Sequence, residues 1–375
     1  MKLETFNLER IQSEWEHRVE FNLSESGVEP LRIRELLETA DLREQFLDTQ
    51  LGYSQTNGTI PLRQAIAQHY PGIGVDNILV TNGGAEANYL VTWRFFHEYP
   101  SQREFVFMIP NYLQMSGVWK NLGGKVNTFK LKISNGKWIP DLEELKAQVT
   151  EKTIAIAICN PNNPTGAIIS DNDLNAIVEI ASKKDVWIIS DEIYRGAEIE
   201  EMKAPSVHGR YAKTIITSSL SKAYGLPGLR IGWAICPSEQ VATELWKYSD
   251  YTTICPSKAS DWLASLALQP EVQTKIEKRT RQHIRENWLV MQKWLDNHPD
   301  ALECISPSAA AICFIKQNTG ISSLDLVMRL IKEKSVLISP GEYFEMPGFI
   351  RIGFGSKKEY LEQALERISE MLDSL

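Results

Sequence analysis

The stretch TSSLSKAYGLPGLRIGWA, residues 217–234, joins two apolar runs through a connection too short to hold a helix. The first run covers Lys213–Leu220, and the second begins beside Arg230. Because parallel neighbours in a sheet need a long crossover, the second run is predicted to lie antiparallel to the first. Two cations, Lys222 and Arg230, stand on the turn among serines, glycines and a proline. Buried cations need anions or an altered charge state, so the turn is also a candidate binding or catalytic site.

Seven short apolar runs lie between residues 77 and 236, separated by segments of helix length. Most are β-branched and apolar on both faces, as expected of parallel strands covered by helices. The runs read NILVTNG, EFVFMIP, KVNTFKL, TIAIAICN, VWIISDE, KTIITSSL and RIGWAIC. The pattern predicts an α/β fold with a seven-stranded, mostly parallel sheet sandwiched by helices.

The rest of the chain predicts a second, smaller α+β domain. A chain of 375 residues is long enough for more than one core. After residue 240 the pattern changes to a long helical region at 272–298, several short strands and a terminal amphipathic helix. The predicted large domain spans residues 45–265. The predicted small domain combines residues 1–44 with 266–375.

Composition favours a small-molecule partner. The chain is 43% hydrophobic and 23% charged, as in ordinary globular proteins. Its net charge of -8 provides no basic surface for nucleic acid or an anionic membrane, so neither partner is predicted. Five cysteines without CxxC spacing argue against a disulfide framework or a metal site. A reduced, cytoplasmic setting is therefore expected.

Polar and glycine residues follow the strand ends at which open α/β sheets bind ligands. Gly84 and Ala85 open a helix after the first run, where backbone amides suit a phosphate. Asn163 follows the fourth run, and Asp191 and Tyr194 follow the fifth. A tight strand-to-helix turn and a helix-capping aspartate are the structural alternatives.

The cations and their neighbours fit one cofactor, pyridoxal 5'-phosphate (PLP). Its aldehyde would form a Schiff base with Lys222, which removes the independent ammonium. Its phosphate would lie at the Gly84 helix start with Ser219 and Arg230. The alternative, that both cations extend into solvent, explains neither the serines nor the glycines.

The remaining strand-end residues fit the PLP ring. Asp191 would hold the pyridine nitrogen protonated, so that the ring withdraws electrons from a carbanion on a bound amino acid. Tyr194 and Asn163 would contact the phenolic oxygen. These assignments answer why two cations share one turn: one bonds the aldehyde, and the other neutralises the phosphate.

The motifs NPNNPTG, DEIY and SLSKAYGLPGLRIGW resemble those of class I/II aminotransferases of PLP fold type I, in order and internal spacing. The likeness extends over nearly the whole chain. It implies transfer of the amino group of an L-amino acid to a 2-oxo acid through Schiff-base intermediates. It also implies that Lys222 is the general base and acid, and that the protein is a homodimer with shared active sites.

The resemblance implies further site residues. Tyr112 would stack on the pyridine face, with a core tyrosine as the alternative. Tyr53 would reach the cofactor phosphate of the partner subunit. Gly27 would belong to the N-terminal segment that covers the substrate. Asn163 would also bind the substrate. Arg351 would clamp the substrate carboxylate, with a surface arginine on a strand as the alternative.

A second resemblance keeps another reaction open. The segment WEHRVEFNLSESGVEPL is similar to a branch that includes capreomycidine synthase and arginine-processing PLP oxidases and hydroxylases. Four acidic residues could then include a partner for the guanidinium of the substrate: Glu14, Glu16, Glu20 and Glu25. The alternative is that these residues form a solvated acidic helix face. Val28 and Glu29 follow Gly27 where the oxidases have a histidine, which disfavours oxidase chemistry. A non-catalytic PLP-binding regulator is a third hypothesis. The sequence shows no DNA-binding domain or basic extension that would favour it.

Overall fold

A computed structural model describes residues 3–375, and its strands form three sheets. In chain order the strands are β1 (Phe21–Asn22), β2 (Ile78–Thr81), β3 (Glu104–Ile109), β4 (Lys125–Ser134), β5 (Lys137–Pro140), β6 (Thr153–Cys159), β7 (Trp187–Asp191), β8 (Thr214–Ser219), β9 (Gly232–Ile235), β10 (Leu302–Cys304), β11 (Ile312–Gln317), β12 (Val336–Leu337), β13 (Ser339–Pro340) and β14 (Phe349–Gly353).

Helices fill most of the connections between these strands. In chain order they are α1 (Asn7–Trp15), α2 (Ile33–Leu36), α3 (Ala40–Leu47), α4 (Ile60–Ala67), α5 (Gly84–Glu98), α6 (Gln114–Leu122), α7 (Leu142–Gln148), α8 (Asp171–Lys183), α9 (Glu239–Ser249), α10 (Lys258–Ala267), α11 (Pro270–Asp296), α12 (Ser323–Arg329) and α13 (Lys358–Leu372).

The large sheet has the strand order β2-β9-β8-β7-β6-β3-β4-β5. Its central pairs, from β8 through β7, β6 and β3 to β4, are all parallel. Strand β9 pairs antiparallel with both β8 and β2, which confirms the prediction from the short connection. All seven predicted strands are present.

An eighth strand, β5, extends the predicted sheet at one edge. It pairs antiparallel with β4, and the two strands are joined by Asn135 and Gly136. Both turn residues have positive φ, 50° and 70°. That conformation suits a two-residue type I′ hairpin, for which Asn-Gly is the favoured sequence.

The large sheet is buried on both faces, which explains its continuous apolar runs. Along β6, Ile156 and Ile158 belong to one core cluster, while Ala155 and Ala157 belong to another. Helices α5, α6 and α9 contribute to the second cluster, and α4, α8 and α10 contribute to the first. The α/β prediction is therefore confirmed, because successive side chains of one strand enter two separate cores.

The later strands form a four-stranded antiparallel sheet of order β10-β11-β14-β13. Strand β1 returns to this part of the chain and pairs parallel with β12. The division at residues 45 and 265 remains a prediction. Within residues 3–375, no helix combines the length and apolar character needed to cross a membrane.

Candidate active site

The carboxyl ends of the parallel strands open into a cavity of about 300 Å³. Nine of the residues predicted to bind the cofactor or the substrate α-carboxylate line it: Gly84, Ala85, Tyr112, Asn163, Asp191, Tyr194, Lys222, Arg230 and Arg351. The side chain of Ser219 lies directly behind Gly84, since a Cβ on Gly84 would be 3.5 Å from the Ser219 Cβ. Residues from five strand-end connections of the large sheet therefore meet at one edge of it, as the strand-end argument predicts, and Arg351 joins them from within β14.

The N-terminus of α5 forms one wall of the cavity beside Arg230. Gly83 has φ +89°, and a Cβ at this position would lie 2.5 Å from Arg230 Nη2. On the other side, a Cβ on Gly232 would lie 2.4 Å from the Gly83 carbonyl carbon. Glycine is required at both positions for these close approaches. The helix start and the guanidinium consequently flank the same small space, where amides and a cation suit a phosphate.

Lys222 lies opposite Glu25 in the cavity. Its Nζ is 2.5 Å from Glu25 Oε1, and that oxygen also accepts from the backbone N–H groups of Ser26 and Gly27. The Lys222 ammonium holds the pKa of Glu25 at about 2. The Glu25 side chain is 58% accessible because it faces the open cavity, although protein surrounds it. A Cβ on Gly27 would be 3.6 Å from Lys222 Cδ, so the predicted Gly27 also lies beside the lysine.

Asp191 ends β7 at the base of the cavity and is 8% exposed. Its Oδ2 accepts a 3.0 Å hydrogen bond from Asn88 Nδ2, and its Oδ1 accepts one of 3.1 Å from the Ile193 N–H. Burial raises the pKa of the Asp191 carboxyl, while these two hydrogen bonds oppose the rise. Asn88 was not predicted from the sequence. Its position one helical turn after Gly84, on the face that reaches the cavity, was the available signal.

Two tyrosines of the cavity donate hydrogen bonds to the N-terminal segment. Tyr194 Oη donates to Ser26 Oγ at 2.9 Å, and Tyr112 Oη donates to Glu9 Oε1 at 2.7 Å. Burial raises the pKa of both phenols, so both are neutral donors at ordinary pH. The segment that carries Glu9 and Ser26 therefore forms a wall of the cavity.

Arg351, in the middle of β14, is 1% exposed. Its Nη1 donates to Asn163 Oδ1 at 2.8 Å, and its Nη2 donates to the Ser24 carbonyl and, at 3.1 Å, to Ser339 Oγ. The buried Nε has no partner among the described residues. Burial lowers the pKa of this guanidinium from its usual value. Arg351 is a buried cavity residue, not the surface arginine considered as the alternative.

Tyr53, which is predicted to reach the phosphate of the partner subunit, lies outside the cavity of its own chain. It lies between α3 and α4 and is 90% exposed. Other apolar side chains nearby are also exposed, with Leu47 at 73% and Leu51 at 86%. The chain thus presents Tyr53 on an apolar surface instead of contributing it to its own cavity.

The predicted acidic residues divide into two groups. Glu16 and Glu25 line the cavity. Glu14 is exposed and does not line it, and Glu20 pairs with Arg367 at 2.7 Å. Helix α1 also contributes residues that were not predicted: Glu9, Gln12 and Ser13. Their spacing at i, i+3, i+4 and i+7 with Glu16 marks one helical face, which was the available signal.

Comparison with known proteins identifies a family over most of the chain. Residues 34–368 match the model described as aminotransferase class I and II. A solved structure described as a PLP-dependent aminotransferase from Streptococcus suis is similar, with a TM-score of 0.92 and 33% identity. That alignment covers 100% of this chain and 99% of the other.

Curated relatives differ in their named activities. Aromatic-amino-acid aminotransferase 2 of Thermococcus litoralis is 29% identical over 336 residues, 85% of this chain and 84% of the relative. Capreomycidine synthase of Streptomyces vinaceus is 29% identical over 356 residues, 94% of this chain and 89% of the relative. Aspartate aminotransferase of Thermotoga maritima is 29% identical over 345 residues, 87% of this chain and 84% of the relative.

Proposed function

Because the chain belongs to the class I and II aminotransferase family, we propose that it transfers the amino group of an L-amino acid to a 2-oxo acid, with PLP bound in the cavity. The observation that carries the proposal is the convergence of Lys222, Asp191 and Arg351 on one cavity. An amine can bond an aldehyde, a buried carboxylate can keep a pyridine nitrogen protonated, and a buried guanidinium can hold an α-carboxylate.

The cavity residues fit the phosphate of PLP. Helix α5 has 15 residues, and its first amides at Gly84 and Ala85 are unobstructed by large side chains. Arg230 makes no ion pair with a carboxylate of residues 3–375, and its Nη1 donates only to the Pro227 carbonyl. An anion beside Gly84, Ser219 and Arg230 would satisfy the guanidinium and the helix start together.

When bound, PLP supplies an aldehyde that bonds amines and a ring that withdraws electrons. The Nζ of Lys222 would bond the aldehyde and would later carry the proton taken from the substrate Cα. Glu25 orients that Nζ through the 2.5 Å contact. Lys222 therefore serves as nucleophile, base and acid in turn.

Other residues orient the ring. Asp191 would keep the pyridine nitrogen protonated, because an ionised carboxylate stabilises the pyridinium. Tyr194 and Asn163 would contact the phenolic oxygen. Tyr112 would cover one face of the ring, and its edge contact with Phe6, with centroids 4.9 Å apart, holds the Tyr112 ring in place.

Arg351 binds the substrate α-carboxylate beside Asn163. A guanidinium that is already fixed by several hydrogen bonds loses little conformational freedom when it binds a carboxylate. Its planar N–H donors match the two carboxylate oxygens. The unpartnered Nε provides a donor for this purpose. Gly27, next to the Lys222 side chain, leaves room for the substrate as part of the covering segment.

The exposed position of Tyr53 supports a homodimer with shared active sites. A tyrosine that is 90% exposed beside exposed Leu47 and Leu51 suits an interface more than solvent. In the dimer, the Tyr53 hydroxyl would reach the phosphate held by the partner subunit.

The five cysteines are free thiols, which supports a cytoplasmic setting.

The test of the proposed function is a screen of single amino acids against the PLP-loaded enzyme without oxygen. A true amino donor should convert the bound cofactor to pyridoxamine phosphate and release one 2-oxo acid for each active site. Absorbance reports the cofactor, and mass spectrometry identifies the acid. If no amino acid produced both products, the transamination proposal would be wrong.

A second candidate is cyclisation, oxidation or hydroxylation of arginine or a related cationic amino acid. Two observations favour it: Glu9, Glu16 and Glu25 line the cavity, and capreomycidine synthase aligns over 94% of the chain. Carboxylates at a cavity wall would pair with a guanidinium at the far end of the substrate. Val28 and Glu29, where the oxidases have histidine, weigh against the oxidative versions.

The second candidate makes a separate prediction. With L-arginine in air, the enzyme should consume oxygen and yield an oxidised or hydroxylated product, or with a hydroxylated arginine it should expel water and yield the cyclic product. In either case Glu16→Gln should raise the KM about tenfold, as for a lost hydrogen bond to a charged group. Glu14→Gln is the matched control, because Glu14 lies outside the cavity on the same segment. Equal KM values in the two variants, or 2-oxo acid as the sole product, would count against this candidate.

A further inference from the structure

A buried chain of hydrogen bonds connects β8 to Asp191 through α5. Thr217 Oγ1 donates to Asn88 Oδ1 at 2.6 Å, and Asn88 Nδ2 donates to Asp191 Oδ2 at 3.0 Å. Thr217, Asn88 and Asp191 are 0%, 3% and 8% exposed. Water therefore cannot readily replace either hydrogen bond, and each side chain depends on the next.

The surroundings of Asp191 make these hydrogen bonds important for the charge of its carboxylate. Within residues 3–375, Asp191 forms no ion pair, and its remaining hydrogen bond comes from the Ile193 backbone. Three cations, Lys222, Arg230 and Arg351, line the same cavity without pairing with Asp191. The charge of Asp191 acts on two other titratable groups, the thiol of Cys159 on the adjacent β6 and the phenol of Tyr112. Burial raises the pKa of both, so neither is charged at ordinary pH. Two N–H donors therefore make the direct hydrogen bonds to a carboxylate at this position.

Asn88 can support that charge only when its amide presents N–H to Asp191. The amide carbonyl on the other side is buried, and a buried carbonyl without a donor is unfavourable. The Thr217 hydroxyl supplies that donor and polarises the amide, which strengthens its N–H donation to the carboxylate. Without the hydroxyl, the amide would rotate to find another donor and would withdraw from Asp191.

We propose that Thr217 is a positioning residue for the reaction, which through Asn88 keeps Asp191 ionised at the cavity. The inference rests on the proposed function, because it assumes that Asp191 supports the ring nitrogen of PLP. Burial raises the pKa of Asp191, and the Asn88 hydrogen bond opposes the rise. Loss of that bond leaves the carboxyl protonated up to a higher pH, where it no longer stabilises a pyridinium.

The test compares Thr217→Val with Thr217→Ser, which keeps the hydroxyl. Each enzyme is titrated with PLP and with the PLP analogue in which carbon replaces the ring nitrogen. The wild type should prefer PLP, and Thr217→Val should reduce the ratio of the two affinities about tenfold, the effect of one hydrogen bond to a charged group. In Thr217→Val, kcat should fall more than KM changes, and the acid limb of the kcat profile should move to higher pH. Thr217→Ser should restore all three properties.

The outcomes separate this inference from the proposed function. If Thr217→Val weakened PLP and the analogue equally, Thr217 would have a purely structural role and the inference would be wrong. It would also be wrong if Thr217→Ser behaved like Thr217→Val. A wild type that bound no PLP would instead overturn the proposed function and this inference together. Should the valine variant not fold, Thr217→Ala carries the same expectation without added side-chain volume.

Discussion

Lys222→Ala is expected to remove both turnover and the visible absorbance of covalently held PLP. The variant lacks the amine that bonds the aldehyde and moves the substrate proton. We expect the rate to fall by roughly 10⁴-fold, the upper end of what a positioned base contributes. Steady-state kinetics and absorbance spectra of the purified variant with added PLP measure the two losses.

Two companion variants separate the amine from its charge. Lys222→Arg keeps a cation opposite Glu25 but lacks a nucleophilic amine at ordinary pH. It should therefore be as inactive as Lys222→Ala. Lys247→Ala, which removes a surface lysine paired with Glu244, should behave as the wild type. An unchanged absorbance band in Lys222→Ala would show that another residue holds the cofactor.

Asp191→Ala is the second variant with a large expected effect. Removing the carboxylate takes away the group that keeps the ring nitrogen protonated, so PLP should bind more weakly and catalysis should nearly disappear. We expect a loss in kcat of about 10²–10³-fold, as when one preorganised electrostatic group is removed. Asp191→Asn should show a similar loss in kcat while preserving the shape of the site. Kinetics at saturating PLP distinguish the catalytic loss from weak binding.

The control for Asp191 is a carboxylate of similar sequence context outside the site. Asp185 lies just before β7, pairs with Lys213 at 2.6 Å and is exposed. Asp185→Asn should leave both kcat and PLP affinity unchanged. Near-normal rates in Asp191→Asn would contradict the electronic role of Asp191, and they would also remove the basis for the Thr217 inference.

The large sheet could be predicted from sequence because its strands are buried on both faces. A run such as Thr153–Cys159 is apolar at every position, so it could be identified without knowing its partners. The eighth strand was missed because Lys137–Pro140 is short and lies at an edge. The Asn135-Gly136 dipeptide before it was a readable hairpin signal, which a search for apolar runs alone does not use.

Family membership was also predictable, since three motifs in a fixed order are confirmed by the match over residues 34–368. The contacts between these motifs and distant segments could not be predicted from the sequence. Glu9 meets Tyr112 and Ser26 meets Tyr194 across sequence separations of 103 and 168 residues. Such pairs depend on tertiary packing of polar side chains, which has no periodic signature along the chain.

The hydrogen bond from Arg351 on β14 to the N-terminal segment has a consequence for the order in which the cavity can form during synthesis. The Arg351 side of the cavity is completed by the Ser24 carbonyl, 327 residues earlier in the chain. Lys222 and Asp191 belong to strands and turns that leave the ribosome well before β14. A nascent chain can therefore assemble the central sheet first, but its cavity stays unfinished until β14 has emerged. A translation product that stops short of β14 would keep the lysine and lack the arginine.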